Sequence, residues 1–145
     1  MKLLILNGPN INLLGRREPE IYGHNTYAEL EDYIRTACSA YGAECEIFQS
    51  NHEGDLIDRI QAADGFDGIV LNAGGYTHTS VAIPDAVRGM GIPTVEVHLS
   101  DPTLREPYRH VSYLSDCVIA TVRGKGFAGY GEAIRLLVER KAEEQ

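Results

Sequence analysis

Five short apolar runs punctuate this chain, at Lys2 to Leu6, Glu44 to Phe48, Gly68 to Leu71, Thr94 to His98 and Cys117 to Val122, and polar and glycine residues followed by a helical pattern come after each. Short, nearly continuous apolar runs fit strands covered on both faces, and strand-helix alternation supplies the crossovers a parallel sheet requires. The first helix is the clearest, since Leu30, Tyr33, Ile34, Ala37, Cys38 and Tyr41 keep the i, i+3, i+4, i+7 spacing of one buried face. Thr26-Tyr-Ala-Glu29 ahead of it is a capping box, and Gly42 is placed to end it. A second helix carries Leu56, Ile57 and Ile60. A third is expected from about Thr79 to Met90, with Pro84 tolerable only near its first turn, and a last from about Tyr130 to Glu143.

This order predicts an α/β fold: a flavodoxin-like three-layer sandwich around a five-stranded parallel sheet of order 2-1-3-4-5. The 145 residues fit a single catalytic domain over 1–145, long enough to bury a core without disulfides or a structural metal. Cys38, Cys45 and Cys117 are odd in number and lack C-x-x-C spacing, and they read as core thiols in a reducing cytoplasm. The apolar start ends at Asn7-Gly-Pro-Asn10, too early for a secretory signal, and no stretch is long enough to span a bilayer. A cytoplasmic protein is expected. The formal charge of −8 argues against nucleic acid and membrane surfaces as partners, because both need a basic face. Local anion binding stays open at two clusters, Arg16 with Arg17 and Arg105 with Arg109.

Between the first strand and the first helix runs a long polar stretch, Asn7 to Gly23, where compact α/β units use about two to six residues. It carries Arg16, Arg17 and Tyr22, which fits a lid over about 11–25 that brings charge and a phenol to a site. A solvated loop whose arginines pair with Glu18 and Glu20 is the other reading. In a doubly wound sheet ligands sit outside the carboxyl ends of the strands. The unusual residues fall there repeatedly: Asn7 to Asn10, Ser50 to His52, Asn72 to Gly75, Glu96 to Ser100 and Gly124 to Gly126.

Glu96 and His98 sit two apart in the fourth strand and so point to one face, where a covered sheet wants apolar residues. Paired, the carboxylate fixes the tautomer of the imidazole and readies its other nitrogen for proton transfer. A hydrogen-bonded pair at a strand end with no further role is the alternative. Tyr22, as a base, needs help, since lowering a phenol pKa of about 10 by about three units takes roughly 4 kcal/mol. Arg16 and Arg17 are near enough in sequence to supply part of that, although a loop tyrosine also serves packing. Gly74-Gly75-Tyr-Thr-His-Thr-Ser80 leads toward the third helix, whose amides suit an anion, but it lacks the spacing of a nucleotide fingerprint. Alone, His78 reads as a capping or core histidine rather than a ligand contact. The five histidines show no metal spacing, and no metal is expected.

Taken together, Asn7-Gly-Pro-Asn-Ile-Asn-Leu-Leu-Gly15, Arg17-Glu-Pro-Glu-Ile-Tyr-Gly23, Gln49-Ser-Asn-His-Glu-Gly54, Asn72-Ala-Gly-Gly-Tyr-Thr-His-Thr-Ser80 and Glu96-Val-His-Leu-Ser100 closely resemble type II 3-dehydroquinate dehydratase over nearly the whole chain. The resemblance implies a homo-oligomer, a dodecamer assembled from trimers, that removes water from 3-dehydroquinate without a cofactor. It also implies roles: Tyr22 as base, Arg17 as the lid residue favouring its phenolate, His98 as acid oriented by Glu96, and Asn10, through a water, as stabiliser of the enolate oxygen. Asn72 and the amides of Leu99 and Ser100 would hold the substrate carboxylate, His78 and Arg109 would contact ring hydroxyls, and Asp85 would arrive from a neighbouring subunit. Arg105 fits the family's Arg-x-x-x-Arg spacing with Arg109.

The chain departs from the family at Asp101-Pro-Thr103, at Pro107-Tyr108 and at Pro84, which bears on subunit contacts and on the approach of Arg105 and Arg109. The rival from another class is a non-catalytic flavodoxin-like module binding a flavin phosphate or small anion at the Gly74-Gly75 turn. A lyase or hydrolase of the same fold acting on another hydroxy acid is a second rival.

Overall fold

Strands β1 (Lys2–Asn7), β2 (Glu44–Gln49), β3 (Gly68–Asn72), β4 (Thr94–His98) and β5 (Ala120–Arg123) pair in parallel as one sheet of order β2-β1-β3-β4-β5, as the alternation predicts. The computed structural model describes residues 1–16, 18–22 and 24–145, with the backbone alone at Tyr22. Around the sheet lie α1 (Pro19–Tyr22), α2 (Tyr27–Ala40), α3 (Glu53–Gln61), α4 (Ala82–Met90) and α5 (Ala128–Glu143).

Alternation along the strands divides the core in two. Leu3, Ile5, Val70, Val95 and Val97 bury against Leu30 and Ile34 of α2 and Tyr130, Ile134 and Leu137 of α5. Leu4, Leu6, Ile69 and Leu71 bury on the other face against Leu56 and Ile60 of α3 and Ile83 and Val87 of α4. Flavodoxin-like layering follows, because the central strands β1 and β3 are apolar on both sides, with α2 and α5 covering one face and α3 and α4 the other. Burial of the Cys38 thiol, beside Cys45, pushes it up to about 12.

Helix α2 starts at its expected cap, where the Thr26 hydroxyl accepts from Glu29 N at 3.2 Å. Pro84 falls in the first turn of α4, where its missing N–H costs no helical bond. Two boundaries differ from expectation. The fifth strand starts at Ala120, not Cys117, because Cys117 closes a turn onto Leu114 O and packs with Val118 on the α4 side of the core. That apolar signal belongs to a packed turn. The third long helix starts at Ala82, not Thr79, since the Ser80 hydroxyl accepts from Ile83 N at 3.0 Å and so caps it from outside. Helix α5 begins two residues before Tyr130, at Ala128.

Candidate active site at the carboxyl rim of the sheet

Two loops start side by side, because Asn7 of β1 and Asn72 of β3 are register partners. They interlock directly beyond: Gly8 N donates to Asn72 O at 2.7 Å, and a Cβ on Gly8 would meet Ala73 O at 2.5 Å. Only glycine admits that approach. The next turn places Asn10 in the left-handed region, at φ 69°, which asparagine tolerates better than most residues. Its amide donates to Asn51 Oδ1 at 3.0 Å, and Gln49 Nε2 braces the turn through Gly8 O and Asn51 Oδ1, each at 3.2 Å.

Facing these loops across the rim is a cleft of about 170 Å³ that brings together Asn10, Asn72, His78, His98, Leu99, Ser100 and Arg109, with Arg105 in its wall. Glu96 stands behind His98. Its carboxylate accepts from His98 Nε2 at 2.5 Å, from the Ser112 hydroxyl at 2.8 Å and from Thr121 Oγ1 at 3.2 Å. Burial alone would push this carboxyl up, but the bonds and charge supplied by His98, with Ser112 and Thr121, outweigh it, and Glu96 titrates below its ordinary value. A carboxylate with three donors at 1% exposure is a fixed negative charge. It engages Nε2 of His98 and leaves Nδ1 as the nitrogen for proton exchange.

His78 stacks near His98, with ring centroids 6.5 Å apart and planes 17° apart. Its Nδ1 lies 2.7 Å from Val111 O, and a carbonyl only accepts, so Nδ1 carries the proton and Nε2 is the remaining ring nitrogen. The carbonyls of His98, Leu99 and Ser100 accept from the 124–126 turn, Leu99 O from Gly126 N at 3.0 Å and Ser100 O from Gly124 N at 3.1 Å. In trans peptides N–H opposes C=O, so the Leu99 and Ser100 amides point away from that turn. Arg105 pairs with Glu18 at 3.3 Å and Arg109 with Glu106 at 2.8 Å. Glu18 thus bonds across the rim to Arg105. The departures at 101–109 build the wall carrying both guanidiniums: Asp101 Oδ1 caps a 3-10 turn over Pro102–Leu104, and Pro107 opens another over Pro107–Arg109.

Asp85 lies apart from this cleft, exposed on α4 and 3.8 Å from Arg88. Arg17 and the Tyr22 side chain lie outside the described residues. The Gly74-Gly75 turn does not feed α4, since a 3-10 turn over Gly74–His78 intervenes. Among the described residues no group of three or more His, Cys, Asp or Glu is arranged to hold a metal ion. Sequence reasoning gave no part to Ser112, Thr121 and Tyr130, and it set Asn51 on the rim and Gln49 in a motif without a role for either. For the first two no local signal exists, because their link to Glu96 is made only when the sheet closes, whereas Gln49 ends a strand and Asn51 follows it on the expected rim.

The whole cleft wall falls within residues 1–138, the span matched by the family model described as dehydroquinase class II. The 3-dehydroquinate dehydratase of Azorhizobium caulinodans is 58% identical over 126 residues, which cover 87% of this chain and 86% of that protein. Catabolic 3-dehydroquinase 1 of Aspergillus terreus is 54% identical over 133 residues, covering 91% and 88% respectively. The crystal structure of type II dehydroquinase from Butyrivibrio crossotus superposes with a TM-score of 0.93 at 46% identity, covering 94% of this chain and 97% of that one.

Proposed function

The chain belongs to the class II dehydroquinase family, and from that premise we propose how its residues divide the dehydration of 3-dehydroquinate to 3-dehydroshikimate, a step of the shikimate pathway or of quinate catabolism. The relatives do not favour the flavin-phosphate module. The observation that carries the assignment is the buried Glu96–His98 pair opening onto a cleft shared with Asn10 and Asn72.

The phenolate of Tyr22, favoured by Arg17, takes a proton from the carbon next to the ketone. The electron pair moves onto the ketone oxygen, where Asn10, through a water, stabilises the enolate. The enolate then collapses to a carbon-carbon double bond as the hydroxyl leaves, and His98 supplies the proton that makes it water. Glu96 supports the positive imidazolium beforehand. Asn72 with the Leu99 and Ser100 amides holds the substrate carboxylate, while His78 and Arg109 meet ring hydroxyls. Support for this orientation comes from the peptide planes at 98–100 and from the two guanidiniums that line the same cleft. No cofactor takes part.

The active form is a cytoplasmic homododecamer built from trimers, in which Asp85 enters the cleft of a neighbour. Leu104 and Tyr108, 83% and 66% exposed beside the cleft in the lone chain, support a covering subunit. Adding 3-dehydroquinate to the assembled protein is expected to raise conjugated-enone absorbance, and no rise would refute the activity. Tyr22→Phe, Arg17→Ala and His98→Ala are each expected to lose roughly 10²–10⁴ in turnover while still binding 3-dehydroshikimate. Near-wild-type turnover of Tyr22→Phe removes the base assignment.

A further inference from the structure

Under the cleft floor, behind Asn72, lies a chain of polar groups to which the reaction as described gives no part. Tyr130, on α5 and 0% exposed, has its phenol between Asn7 and Asn72. The phenol donates to Asn7 Oδ1 at 2.7 Å and accepts from Asn72 Nδ2 at 2.9 Å. Asn72 Oδ1 accepts from Gly74 N at 3.1 Å, and Asn7 Nδ2 donates to Tyr27 Oη at 3.4 Å. These side chains share the α5 face of the sheet, opposite the face that carries Glu96 and His98.

Polarity runs one way along this chain. A phenol has a single proton, and Asn7 Oδ1 takes it, so the face turned to Asn72 offers a lone pair and demands a donor. At the same time Gly74 N demands an acceptor. The Asn72 carboxamide is therefore held from both ends in one of its two flipped orientations, with the second N–H of Nδ2 left for the cleft that Asn72 lines. Water cannot perform this task at a phenol of no exposure, and a buried network that is fully paired specifies a single arrangement.

We propose that Tyr130 is a positioning residue for carboxylate recognition: its phenol, polarised by Asn7, fixes Asn72 as a hydrogen-bond donor to the substrate. This rests on the reading in which Asn72 holds the carboxylate. Burial pushes the Tyr130 phenol well up from its ordinary value, so it stays a neutral donor throughout the working range.

The test compares Tyr130→Phe, Asn72→Ala and the double variant of the assembled enzyme, by steady-state kinetics and by equilibrium binding of 3-dehydroshikimate. Tyr130→Phe is expected to raise KM and the product dissociation constant about tenfold, the scale of one lost buried hydrogen bond, with kcat within about threefold. In the Asn72→Ala background the same change is expected to cost less than about twofold, because its effect passes through Asn72. Additive losses, or an unchanged KM in Tyr130→Phe while Asn72→Ala binds poorly, overturn the proposal and leave the carboxylate assignment standing. Normal binding in Asn72→Ala overturns both. Should Tyr130→Phe fail to fold, Asn7→Leu releases the phenol proton from the opposite side and carries the same KM prediction.

Discussion

At Glu96 a structural debt and a proposed chemical role coincide, since a carboxylate at 1% exposure persists only with donors, and one of its three donors is His98, the acid of the proposed reaction. Its folded titration lies below the ordinary 4.5, so on acidification the unfolded chain takes up the proton first. The stability contributed is therefore complete above 4.5 and lost as pH falls through the lower folded value. Glu96→Gln is expected to cost about 2 kcal/mol at neutral pH and to flatten the fall of the melting temperature below 4.5. Melts recorded across that range check both. A parallel acid limb in variant and wild type would show that Glu96 is not the group responsible.

The β1 and β3 loops cross at a close backbone approach. An added methyl at Gly8 runs into the backbone of Ala73, not into a flexible side-chain end, so the loops themselves must separate. Gly8→Ala is expected to cost about 1–3 kcal/mol and to lower turnover more than tenfold, since Asn10 and Asn72 hang from the two sides of the crossing. Unfolding and rate measurements on one preparation test this. The alternation of strands and helices was legible from apolar spacing alone, and Glu96 with His98 was legible because two polar groups at period 2 violate a covered strand. What spacing hides is contact between distant segments. The Cys117 turn looked like a strand because its residues Cys117, Val118 and Ile119 are apolar, and Tyr130 looked like an ordinary core aromatic because its partners lie 123 and 58 residues away.

For the whole molecule, the assembly reading makes a specific demand on the position of Asp85, which is exposed and remote from the cleft of its own chain. Light scattering is expected to give twelve times the 16.0 kDa chain mass. Co-assembled Tyr22→Phe and Asp85→Ala chains are expected to recover turnover beyond that of either parent, because a mixed pair can contribute an intact Tyr22 and an intact Asp85 to one site. An active monomer would remove Asp85 from the mechanism. The cleft itself is gathered from positions as far apart in sequence as Asn10 and Arg109, hung from the ends of several strands. Turnover during refolding is therefore expected only after the complete sheet has closed and the subunits have joined, later than the helical circular-dichroism signal, which needs only local turns.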